Sequence, residues 1–125
     1  DNYLSLANRA RIANDNNADI FVSIHGNSFN GLTRGIETYW YDKYEGVSSR
    51  RLANKVNNEV IKKTKSINRG VKKGNFHVIR ETKMPSILIE VGFIDNIYEA
   101  VKLKQGNYRN KIAQGITNGI KEYIE

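Results

Sequence analysis

Apolar and polar positions along the chain change period several times, and each change predicts an element. From Ser5, a residue suited to capping a helix, Leu6, Ala7, Ala10 and Ala13 share one helical stripe while Arg9 and Arg11 fall outside it. That helix is expected to stop in Asn14-Asp15-Asn16-Asn17, residue types that favour turns. Ile20 to Ile24 then form a nearly continuous apolar run, which suits a strand buried on both faces of a sheet. After a loop containing Gly26, Gly31 and Gly35, Ile36 to Tyr41 alternate with aromatics and predict a second strand. The loop is short for a parallel crossover, which needs about a dozen residues or more, so this strand is expected to run antiparallel or lie at an edge.

Ser48 to Lys65 predict a second helix, with Leu52, Ala53, Val56, Val60 and Ile61 inward and Arg50, Arg51, Lys55, Lys62 and Lys63 largely outward. Phe76 to Arg80 and Ile87 to Val91 read as two more strands, an antiparallel pair joined by the turn-like Glu81-Thr82-Lys83-Met84-Pro85. Asn96 followed by Glu99 resembles a capping box, and Tyr108 to Ile124 carry Ile112, Ala113, Ile116, Ile120 and Ile124 at helical spacing. Gly115 and Gly119, four apart inside that helix, predict close packing against the sheet that offsets the cost of glycine in a helix interior. The pattern as a whole is α/β: a mixed, largely parallel twisted sheet with helices on both faces. With 125 residues and no shift in composition, residues 1–125 are read as a single domain.

Composition narrows the function classes. Twenty Lys and Arg against 13 acidic residues give a net charge of +7, so attraction to a polyanion is expected, either nucleic acid or an anionic cell-wall polymer. The chain holds no cysteine, which removes disulfide scaffolds, thiolate metal sites and cysteine nucleophiles together. No apolar run approaches the roughly 18 residues that a membrane-spanning helix requires. Asp1-Asn2-Tyr3 resemble neither an initiator methionine nor a leader and read as the interior of a longer segment.

Two ionisable residues stand out because of where the apolar runs place them. His25 ends the run Ile20 to Ile24, and Glu90 nearly ends Ile87-Leu88-Ile89. If the two strands are parallel, both side chains open on one rim, where open α/β sheets bind ligands. A carboxylate within Ile-Leu-Ile-Glu-Val is costly to bury unpaired, so a metal, a water on that metal, or an arginine such as Arg80 is expected to partner Glu90. The plain reading of each is a satisfied rim histidine and a structural ion pair; their joint placement favours chemistry. His77, on the opposite strand face from Arg80 by alternation, is read as structural. Asn27 either orients substrate or holds its loop through an Asx turn, and Tyr39, Trp40 and Tyr41 read as core and sheet-edge aromatics.

Ser23-Ile24-His25-Gly26-Asn27-Ser28 resembles the Ser-Ile/Leu-His-x-Asn/Asp-Ser signature of the zinc-dependent N-acetylmuramoyl-L-alanine amidases often called amidase type 3. Ile89-Glu90-Val91-Gly92-Phe93-Ile94-Asp95-Asn96 is similar to that family's second signature, Val-Glu-x-Gly-Phe-x-Ser-Asn. Between and before them, Ser5-Leu6 with Arg9 and Ala13-Asn14, Gly35-Ile36-Glu37 with Tyr39, Arg69-Gly70-Val71-Lys72, Val78-Ile79-Arg80 and Pro85 also fall where the family has matching segments. The resemblance spans essentially the whole chain.

The resemblance implies a peptidoglycan hydrolase that cleaves the amide between N-acetylmuramic acid and the L-alanine of the stem peptide, with Zn2+ as cofactor. Residue by residue it makes His25 a zinc ligand and Glu90 the general acid/base, with Asn27 and Arg80 as candidates for contacting substrate. The family's other two metal ligands, a histidine and a glutamate, precede the region matched here. The chain is therefore expected to be the N-terminally incomplete part of the catalytic domain, lacking strands of the family fold. A secreted, wall-associated or phage-encoded lysin is implied, acting on peptidoglycan as a monomer. The competing reading is a non-catalytic module that uses its basic surface to bind peptidoglycan or an anionic wall polymer. Nucleic acid is not expected as a partner, since the chain has no RNA-binding aromatic signature, zinc finger or recognition helix.

Overall fold

The apolar run that ends near Glu90 is the spine of the molecule: every residue of the strand Ser86–Phe93 is buried. The computed structural model describes residues 4–125, so Asp1-Asn2-Tyr3, read above as the interior of a longer segment, lie outside the described residues. The elements follow in the order α1 (Leu6–Asp15), β1 (Phe21–Asn27), β2 (Ile36–Trp40), α2 (Gly46–Thr64), β3 (Asn68–Lys73), α3 (His77–Arg80), β4 (Ser86–Phe93), α4 (Ile97–Leu103) and α5 (Gly106–Ile124). The strands form one sheet in the order β1-β4-β2-β3. β1 is parallel to β4 and β2 to β3, while β2 and β4 are antiparallel, which makes the sheet mixed.

Alternation divides the sheet into two unlike faces. Ile36, Ile87, Ile89 and Val91 face α2 and α5, where Leu52, Val56, Val60, Ile112 and Ile116 complete the main core. Each such aliphatic side chain contributes about 1.5–3 kcal/mol when fully buried. On the other face a smaller cluster of Val78, Ile79 and Leu88 gathers Phe21, Tyr39 and Tyr41, leaving room beside it for an open site. Ser5 caps α1 by accepting from the Asn8 backbone N–H at 3.1 Å, and Asn17, in the left-handed region at φ 49°, closes the turn after it. Of the expected inward stripe of α1, Ala10 and Ala13 are buried, whereas Leu6 and Ala7 are exposed.

Several sequence expectations are corrected. β1 is not buried on both faces: among the described residues it pairs with β4 alone, at the end of the sheet, and Ile24 is 60% exposed. β2 runs antiparallel to β4 as expected but lies inside the sheet, because Asn68–Lys73 form a further strand at its other side. That segment, Asn-Arg-Gly-Val-Lys-Lys, is too polar to show a strand period. The expected strand Phe76 to Arg80 is instead the short helix α3, which lays Val78 and Ile79 on Leu88. His77 and Arg80 accordingly lie one turn apart on one helix, hydrogen-bonded at 3.2 Å, and not on opposite faces of a strand. Gly115 and Gly119 pack against α2 and not the sheet: a Cβ at Gly115 would meet Val60 Cα at 2.5 Å, and one at Gly119 would meet Val56 N at 2.8 Å.

Candidate active site

The parallel pairing of β1 with β4 puts His25 directly opposite Glu90. Both side chains leave the sheet on the face away from the main core, near the carboxyl ends of their strands, the position where open α/β sheets bind ligands. The His25 Nδ1 lies 3.0 and 3.1 Å from the two Glu90 carboxylate oxygens. The two side chains differ sharply in exposure, 60% for His25 and 5% for Glu90. A carboxylate oxygen only accepts, so Nδ1 is the donor in this pair and Nε2 is the ring nitrogen left for another partner. A cavity of about 490 Å³ opens over the pair, lined also by Arg9, Ser23, His77 and Leu88.

The neighbouring strand contributes a second buried carboxylate. Glu37 on β2 sits opposite Glu90 in the antiparallel register and is 3% exposed. Arg69 Nε donates to its Oε1 at 2.6 Å, Lys72 Nζ lies 3.3 Å from the same oxygen, and the Tyr39 hydroxyl makes a short hydrogen bond to Oε2. Burial pushes the Glu37 carboxyl up, but the bonds from Tyr39 and Arg69 and the charge of Lys72 outweigh it and leave it below its ordinary value. Burial first, and then the Glu37 carboxylate, hold the Tyr39 hydroxyl well above its ordinary value. Two carboxylates side by side in one sheet would repel; Arg69 and Lys72 supply the compensating charge. In sequence Glu37 signals only a place in a strand, because these two cations lie 32 and 35 residues further along the chain.

The remaining candidates fall elsewhere. Arg80 is held by Glu81 at 2.6 Å, by Asn75 at 3.0 Å and by His77, so Glu90 takes its partner from His25 and not from Arg80. Asn27 ends β1, with its Oδ1 accepting from the Ser28 backbone N–H at 2.9 Å, one residue on and not the two of an Asx turn. The loop beyond is fastened by Asn30, which accepts from the backbones of Leu32 and Thr33, and by Asp95, which accepts from those of Phe29 and Gly31. Asn96 caps α4 as expected, but Glu99 does not return the bond: its Oε1 accepts from the Gly35 N–H at 2.5 Å, tying α4 to the start of β2. As for a metal, the described residues bring no three of His, Cys, Asp and Glu together. A catalytic zinc takes three protein ligands. The described residues thus offer one imidazole and do not by themselves fit a complete zinc site.

Comparison with known proteins agrees with this architecture. A sporulation-specific N-acetylmuramoyl-L-alanine amidase of Bacillus subtilis is 40% identical over 122 residues, covering 98% of this chain and 47% of that protein. The endolysin of Bacillus phage SPP1 is 41% identical over 128 residues, covering 99% of this chain and 47% of its own length. The crystal structure of an N-acetylmuramoyl-L-alanine amidase from Clostridium difficile 630 superposes with a TM-score of 0.94 at 38% identity, covering 99% of this chain and 67% of that one. The chain spans less than two thirds of the length of the curated relatives it matches. With the family model described as N-acetylmuramoyl-L-alanine amidase matching residues 1–122, the chain belongs to the amidase type 3 family.

Proposed function

We propose that the protein hydrolyses the amide bond between N-acetylmuramic acid and the L-alanine of the peptidoglycan stem, with Glu90 as its general acid/base. The observation that carries this reading is a buried carboxylate, its side chain 5% exposed, in strand register with an imidazole 3.0 Å away, beneath an open cavity. A purely structural pair would gain little from an opening above it, whereas a base must reach the water it activates. In the reaction, Glu90 takes a proton from water as its oxygen attacks the lactyl carbonyl carbon. The same carboxyl then returns that proton to the alanine nitrogen as the carbon–nitrogen bond breaks. The acid formed then gives its remaining proton to the freed amine, so the products are a lactyl carboxylate and an alanine ammonium group. Burial aids this role by keeping bulk water from competing for the proton.

Zinc is proposed as the cofactor, with His25 as one ligand through the nitrogen that Glu90 leaves free and with the family's other histidine and glutamate completing the shell. When bound it would supply Lewis acidity toward the amide carbonyl. Hydrogen bonding of a ligating histidine to a carboxylate through its second nitrogen is the usual way such a ring is oriented. A wall-associated or phage lysin role is proposed on the same grounds, since the relatives include proteins named as cell wall amidases and an endolysin.

The test is end-group analysis of purified peptidoglycan treated with the full-length protein. New alanine amino termini without new reducing sugars are expected. Binding to the wall without new amino termini would favour the non-catalytic module, and new reducing ends would assign a glycosidase.

A further inference from the structure

A second cleft, larger than the one over Glu90, lies on the other side of the sheet. Its volume is about 620 Å³, and Trp40, Tyr44, Arg50, Arg51 and Lys55 are among its lining residues. Trp40 ends β2 and belongs to the face that packs on α2, whereas Glu37 and Glu90 face the opposite way. The sheet therefore separates this cleft from the proposed catalytic cavity, and the two are distinct sites.

The lining has an unusual balance of charge. Asp42 is the one acidic residue in it, and Lys73 engages that carboxylate at 2.6 Å. Among the described residues, neither Arg50 nor Lys55 forms an ion pair with a carboxylate. Arg50 lies over the Trp40 ring at 5.8 Å, and Arg51 over the Tyr123 ring at 4.1 Å, so the aromatic rings hold the guanidinium groups without neutralising them. Tyr44, 45% exposed, and the half-buried Trp40 add flat apolar surface beside these cations. Aromatic faces suit the apolar side of a sugar ring, and fixed guanidinium groups suit phosphate oxygens.

We propose that this cleft is a binding site for an anionic wall polymer of sugar or polyol units joined by phosphodiesters. Charge complementarity selects that occupant over a neutral glycan: Arg50 and Lys55, neither in an ion pair among the described residues, face a lining whose one carboxylate is already paired, while Arg51 is held by the Tyr123 ring and carbonyl. Such a site would retain the protein on wall material while leaving the face that carries Glu90 free to meet the peptide stem. It does not depend on the reaction proposed for Glu90.

The experiment is calorimetric titration of the full-length protein with purified poly(glycerol phosphate), at low and at moderate salt. Arg50→Glu with Lys55→Glu is expected to weaken binding at least tenfold, and Tyr44→Ala at least threefold. The same double variant is expected to keep the thermal midpoint of the parent. As a control, Lys63→Glu with Lys83→Glu makes the same change of charge at exposed positions outside the cleft, and a loss of less than threefold is expected. Undiminished binding by the Arg50/Lys55 variant would overturn the proposal. So would an equal loss in the control pair, which would reduce the effect to bulk charge. A single-stranded oligonucleotide of matched charge that binds as tightly and shows the same response to Tyr44→Ala would also overturn it.

Discussion

Across the sheet from Glu90, Glu37 shows what it takes to hold a second carboxylate so close. Its two oxygens are taken up by Arg69, Lys72 and Tyr39, so its charge is spent on neighbours within the sheet, while the hydrogen-bond partner of the Glu90 carboxylate among the described residues is the exposed imidazole of His25. The pairs therefore invite different tests. Removing the Arg69 guanidinium leaves Glu37 with one weaker cation; as Arg69 is itself 34% exposed, Arg69→Ala is expected to cost about 1–3 kcal/mol by urea denaturation. The sign with pH follows from the lowered value of Glu37. Its stabilising contribution is complete above the ordinary glutamate pKa of about 4.3 and is lost as pH falls through its depressed value in the fold. The difference between parent and Arg69→Ala should thus shrink in acid; a constant or growing difference would show that the ion pair is not its source. For His25, His25→Ala is expected to lower the zinc content of the full-length protein, and unchanged stoichiometry by metal analysis would count against its ligand role. His25 and Glu90 were legible in sequence because each interrupts an apolar run, whereas the part played by Glu37 depends on distant partners that no local pattern reveals.

Elements with a strong period were readable and those without one were not. The helix Gly106–Ile124 and the buried strand Ser86–Phe93 follow from their spacing of apolar residues. Asn68–Lys73 is a strand because β2 offers it a parallel partner, not because its polar residues favour extension. Phe76 to Arg80 has β-favouring residues but lies over a face of the sheet and not in line with its strands, and four of its residues coil to set Val78 and Ile79 on Leu88. The glycine pair in α5 shows spacing that was legible and a partner that was not. Alanine at Gly119 would gain about 1 kcal/mol of helix propensity, yet its Cβ would press on the α2 backbone, and overpacking of this kind costs about 1–3 kcal/mol or more. Gly119→Ala is accordingly expected to lower the urea midpoint; a raised midpoint would mean that the helices separate at no cost.

On the scale of the whole molecule, one sheet carries two unlike surfaces. The face toward α2 and α5 is filled by the main core, and the face toward α1 and α3 is only partly covered, which leaves the cavity over Glu90. The mixed sheet, with helices on both faces, is that of the amidase type 3 family to which the chain belongs. Among the described residues no helix is long and apolar enough to cross a membrane. The net charge of +7 fits attraction to an anionic polymer. The account is tested most directly by Glu90→Gln in the full-length protein, compared with the parent for release of alanine amino termini from purified peptidoglycan. The substitution keeps the shape of the side chain and removes its proton transfer, so release is expected to fall by about a hundredfold or more with the fold and wall binding unchanged. Release at the parental rate would contradict a catalytic Glu90.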